Sequence, residues 1–118
     1  MLFFHFKLNK QIDLSPFKGG INAINYVLNI DKKNKIIAAP YWTSGREFYF
    51  EKYFEMVNVD PGDFKNILYV SWALDKSDYF ISFDIDYFDP EKNIRNLLTK
   101  KNFYLIKKYD QFNIYKKF

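Results

Sequence analysis

From residue 79 to residue 88 the chain alternates without a break. Ile81, Phe83, Ile85 and Tyr87 fall on one side; Ser82, Asp84 and Asp86 fall on the other. A period of two is the signature of a half-buried strand, because successive side chains leave opposite faces of a pleated sheet. A chain with such a segment needs partner strands. Its aromatic content points the same way: 22% of residues are Phe, Tyr or Trp, and aromatic and β-branched side chains suit a sheet surface. The 118 residues suffice for one domain spanning the whole chain, with a core of its own.

The remaining segments fall into place around that strand. Residues 2–8 read as a first strand. Residues 9–20 read as a loop broken by Ser15-Pro16 and Gly19-Gly20. Residues 22–31 alternate, with Ile24, Tyr26, Leu28 and Ile30 on one side, and read as a strand returning through residues 35–41. Ser44 and Glu47 fit a capping box. Phe50, Phe54 and Val57 then give a helical stripe to about Asn58. Asp60-Pro61 starts a short helical turn, and residues 67–74 read as a strand that hairpins into residues 79–88. Asp89-Pro90 starts a second helix with Ile94, Leu97 and Leu98 inward and Lys100-Lys101 at its C-terminus. Residues 103–108 and 112–117 close as a hairpin about Tyr109-Asp110-Gln111. The expected fold is α+β: an antiparallel sheet built from hairpins, with two amphipathic helices packed on one face.

Charge is unevenly distributed along the chain. Residues 1–43 carry a net charge of +4, residues 44–91 a net of −7, and residues 92–118 a net of +7. Fields segregated in this way steer partners. Glu47, Glu51 and Glu55 recur every four residues and would form an acidic stripe on the first helix. Asp84 and Asp86 share the wet face of the alternating strand. Trp42, where the chain leaves a strand, reads as an exposed interface anchor, and Trp72 as core. The bland alternative is that the basic C-terminal strands pack against the acidic middle and balance it.

Catalytic signatures are missing. One histidine, His5, and no cysteine argue against a zinc site. Asp84 and Asp86 with Asp89 could hold Mg²⁺ or Ca²⁺, but read more simply as solvated residues. No P-loop, dinucleotide fingerprint, Gly-x-Ser-x-Gly or HExxH motif occurs. No metal or cofactor is expected. The apolar N-terminal stretch is too short for a signal peptide, and no run approaches a membrane span. A soluble cytoplasmic protein is expected.

A small, cysteine-free, aromatic-rich α+β domain with acidic surfaces at Glu47/Glu51/Glu55 and Asp84/Asp86 resembles the immunity proteins of bacterial contact-dependent growth inhibition and related toxin systems. Other phage- or plasmid-borne inhibitors, such as anti-CRISPR proteins, share this profile. The resemblance implies a non-catalytic inhibitor that binds a cognate toxin domain one to one in the cytoplasm. The partner-binding residues expected from the sequence are Glu47, Glu51, Glu55, Asp84, Asp86 and Trp42. An alternative is a nucleic-acid-binding module. Its basic C-terminal strands carry Lys107-Lys108 and Lys116-Lys117 interleaved with Phe103, Tyr104, Tyr109, Phe112, Tyr115 and Phe118.

Overall fold

The apolar run Tyr79–Phe83 forms the central strand of a five-stranded sheet in a computed structural model of the chain. Four of its five residues are buried, so both faces of this strand are covered. Residues 15–41 and 54–118 are described by the structure. They comprise helix α1 (Ser15–Ile30), strands β1 (Lys35–Ala39) and β2 (Phe54–Asn58), a 3-10 turn (Pro61–Lys65) and helix α2 (Ile67–Lys76). Strand β3 (Tyr79–Phe83), helices α3 (Ile85–Phe88) and α4 (Asn93–Lys100), and strands β4 (Phe103–Tyr109) and β5 (Phe112–Lys117) follow. The strand order is β2-β1-β3-β5-β4.

The α+β class holds, but the pairing differs from a set of hairpins. β1 runs parallel to both β2 and β3, and only β3–β5 and β4–β5 are antiparallel. Parallel neighbours need a crossover, and α2 supplies it between β2 and β3. Only the final hairpin pairs as its local pattern indicates. Its register has an irregularity between Leu105 and Lys107.

Helices cover both sheet faces rather than one. Ala23, Ile24 and Val27 of α1 pack on Ile37, Ala39, Tyr79, Ile81, Phe112 and Ile114. On the other face Val70, Ala73 and Leu74 of α2, with Ile94 and Leu98 of α4, pack on Ala38, Phe80, Phe103 and Tyr115. Each fully buried Ile, Leu or Phe in these layers contributes about 1.5–3 kcal/mol of transfer free energy. Even β3 divides its side chains this way, with Tyr79 and Ile81 toward α1 and Phe80 toward α2 and α4.

Several expected elements are corrected by this packing. Residues 15–30 are a helix, not a loop and a strand: Ala23, Ile24 and Val27 follow a 3.6 period, while Ile30 is 48% exposed. Residues 67–76 are a helix, not a strand, with Asn66 accepting from the Tyr69 N–H at its start. Residues 54–58 are a strand, not the end of a helix. The strand at Tyr79 stops at Phe83, because Asp84 adopts a left-handed conformation with φ 48° and turns the chain into α3. Trp72 is 49% exposed on α2 and is not core. The expected strand over residues 2–8 and most of the expected helix from Ser44 lie outside the described residues. No described helix is long and apolar enough to cross a membrane.

Candidate partner-binding surface

Because β1, β2 and β3 are parallel, their carboxyl ends lie along one edge of the sheet. In open sheets of this kind, that edge is where ligands tend to bind. Three turns meet there. Beyond β1, the Tyr41 N–H donates to Asn58 Oδ1 at 2.9 Å. Beyond β2, Asn58 Nδ2 donates to Asp60 Oδ2 at 3.2 Å, and the Asp60 N–H donates to Asp63 Oδ2 at 2.8 Å. Beyond β3, the Asp84 N–H donates to the Gln111 carbonyl at 2.6 Å, and the Asp84 carbonyl accepts from the Tyr87 and Phe88 N–H groups.

The turn after β3 is the most elaborate. Asp89, only 4% exposed, accepts the Ile94 N–H at 3.0 Å and the Arg95 N–H at 2.9 Å. Those groups are orphan donors of the first turn of α4, so the Asp89 side chain caps this helix. The Asp-Pro pair does not itself start it: the N-cap is Lys92, and Pro90 lies in the preceding turn. The helix itself begins at Asn93. Arg95 then folds back. Its Nε donates to Asp89 Oδ2 at 3.1 Å, its Nη2 donates to the Asp89 carbonyl, and its Nη1 meets Asp86 Oδ1 at 2.8 Å.

This clamp holds an aromatic step above the sheet. Tyr87 is 72% exposed and Phe88 38%. Their rings meet edge to face at 4.9 Å, and Phe88 is rooted through Phe83, 6.1 Å away, which in turn packs on buried Phe112 at 5.1 Å. Beside the step runs a groove of about 330 Å³, between Pro61, Gly62, Phe64 and Lys65 on one side and Phe88, Pro90, Glu91 and Asn93 on the other.

The edge is acidic. Asp60, Asp63, Asp84, Asp86, Asp89, Glu91 and Asp110 follow or flank the carboxyl ends of β1–β3, against Lys65, Lys92, Arg95 and Lys108. At the opposite end lie Lys32, Lys33, Lys35, Lys76, Lys100, Lys101, Lys116 and Lys117, with Asp31, Glu55, Asp75 and Asp78 among them. The linear charge blocks thus become a polarity along the strand direction, softened where Asp75 pairs with Lys101 at 2.6 Å and its carbonyl accepts from Lys117 Nζ. Burial raises the Tyr115 hydroxyl pKa; Asp86 and Asp89 add to that rise and Arg95 opposes it.

Of the residues expected to bind a partner, Asp84 and Asp86 lie together at this edge. Asp86 is 71% exposed even while paired with Arg95. Glu55 is exposed as the second residue of β2, opposite Ile36, not on a helix; it borders Asn34, Lys35 and Asp78 toward the other end of the sheet. It therefore does not extend a helical acidic stripe. Glu47, Glu51 and Trp42 lie outside the described residues. Among the described residues, no group of three His, Cys, Asp or Glu is placed to hold a metal ion. Sequence reasoning missed Tyr87 and Phe88, because the alternating pattern assigned Tyr87 to a buried strand face. Compared with protein-family models, curated proteins and solved structures, the chain matches none.

Proposed function

We propose that this protein is a non-catalytic inhibitor that binds another protein one to one, as an immunity protein neutralises its cognate toxin domain. The docking surface is the acidic edge centred on Asp84, Asp86, Tyr87 and Phe88. One observation carries this reading: an exposed tyrosine beside an exposed carboxylate, on a turn already immobilised by Arg95 and Asp89. Tyr is enriched at interface hot spots, and a pre-ordered turn avoids the entropic cost of ordering a loop on binding. A basic face on the partner meets the acidic edge, which speeds encounter and sets orientation. The chemistry of the site suits recognition better than turnover, since Asp86 and Asp89 are engaged by Arg95 and the groove beside them is open.

The test is co-expression with the product of the adjacent reading frame. The wild-type chain is expected to rescue growth and to form a one-to-one complex by calorimetry. Tyr87→Ala/Asp86→Lys is expected to fold normally yet lose rescue. Rescue by that variant at wild-type levels would remove this edge from the interface.

A further inference from the structure

The end of the sheet opposite the acidic edge carries a second surface. Helix α1 crosses its face diagonally. Gly19, near its start, lies against the Phe112 ring, while Asp31, just past its end, accepts from the Tyr79 hydroxyl. Among the described residues, no helix covers one corner of that face, where β4 begins and β5 ends. Tyr104 pairs across the ladder with Lys116, and Lys116 with Tyr79, so Tyr104 and Lys116 share the α1 face. The Phe118 N–H donates to the Asn102 carbonyl at 2.8 Å, and its ring lies 5.8 Å from that of Tyr104. Tyr104 is 50% exposed and Phe118 68%. The Lys116 ammonium sits 5.0 Å from the Phe118 ring centre.

We propose that this corner binds single-stranded nucleic acid, with two bases stacked on Tyr104 and Phe118 and the phosphate between them held by Lys116. Exposed rings on a sheet surface offer π-faces to any base, and a flanking lysine exchanges condensed counterions for phosphate. A planar, polyanionic strand matches both features at once, whereas an acidic peptide would match only Lys116. A single lysine set against these rings limits the local charge, so stacking must supply a large share of the affinity. This surface is independent of the acidic edge, and the two can fail separately.

The experiment is fluorescence anisotropy with a labelled oligothymidylate of about a dozen nucleotides, at salt between about 50 and 200 mM. Binding is expected at low salt, weakening as salt rises. Lys116→Ala should flatten the logarithmic salt slope by about 0.7. Tyr104→Ala/Phe118→Ala should weaken binding about tenfold or more. Tyr104→Phe should retain binding, and so should the Tyr87→Ala/Asp86→Lys variant of the acidic edge. Three outcomes would overturn the proposal: no binding at low salt, equal binding by the double alanine variant, or equal competition by polyglutamate.

Discussion

Arg95 and Asp89 hold each other in a closed loop: the carboxylate that accepts the Arg95 Nε at 3.1 Å also caps the helix on which Arg95 stands. Asp89 is almost fully buried, whereas the second partner of Arg95, Asp86, is 71% exposed. The two ion pairs should therefore differ sharply in energy. Removing the Asp89 carboxylate strands two helix N–H groups and the Arg95 Nε. Asp89→Ala is expected to cost about 3 kcal/mol, combining cap loss with a broken buried pair. Asp86→Ala should cost at most about 1 kcal/mol. Urea unfolding of both variants checks this, and equal midpoints would contradict it.

Asp31 and Tyr79 should set opposite ends of the pH-stability curve. Burial alone would raise the Asp31 pKa. The Lys33 N–H, the Tyr79 hydroxyl and the charges of Lys35 and Lys116 outweigh it, and the pKa falls below its ordinary 3.8. Its contribution is present above about pH 4 and is lost as the medium is acidified through the lowered value. Tyr79 is shifted upward, first by burial and then by the hydrogen bond to Asp31, from an ordinary 10.0. Its contribution is complete below pH 10 and is lost as pH rises beyond that toward the raised value. Asp31→Asn should flatten the acid limb and Tyr79→Phe the alkaline limb, read from urea midpoints across pH. An unchanged alkaline limb in Tyr79→Phe would assign that sensitivity elsewhere.

The parts of this fold legible in sequence are those fixed by local contrast. The last hairpin alternates about a turn whose Asp110 has φ 51°, and α4 carries an apolar stripe with lysines at its end. Helix α1 was hidden because Ile24, Tyr26, Leu28 and Ile30 happen to alternate, although only Ile24 of these is fully buried. In α2 the run Ile67-Leu68-Tyr69-Val70 is apolar all round; Ile67 and Leu68 are exposed and Val70 is buried. Periodicity cannot separate strand from helix in such a run. Parallel pairing is a relation between distant segments and leaves no local trace. At the candidate site, Asp84 and Asp86 were readable as a wet pair. The backbone reversal at Asp84 that exposes Tyr87 was not, since Asp enters the left-handed region without a glycine to announce it.

That reversal yields a third prediction. Asp84 has φ 48° and makes no side-chain capping hydrogen bond to α3. Glycine adopts this conformation at no steric cost, while a β-branched residue resists it. Asp84→Gly should leave stability within about 0.5 kcal/mol of wild type, and Asp84→Val should lose about 1–2 kcal/mol. Chemical denaturation distinguishes the two, and a destabilised glycine variant would mean that the carboxylate, not the backbone, matters there.

Gly19 tests the packing of α1 directly. In most helix interiors, replacing glycine with alanine is stabilising by about 1 kcal/mol. Here an added Cβ would stand 2.8 Å from Phe112 Cδ2 and 3.1 Å from Cε2. Phe112 is fully buried and packs on Phe83, so its ring cannot swing clear without disturbing the core. Overpacking of this kind costs about 1–3 kcal/mol, enough to cancel or reverse the helical gain. Gly62 is the control, because a Cβ there meets nothing within 4 Å. Gly19→Ala should lower the thermal midpoint while Gly62→Ala leaves it unchanged or slightly raised. A stabilised Gly19→Ala protein would show that α1 sits farther from β5 than this close approach requires.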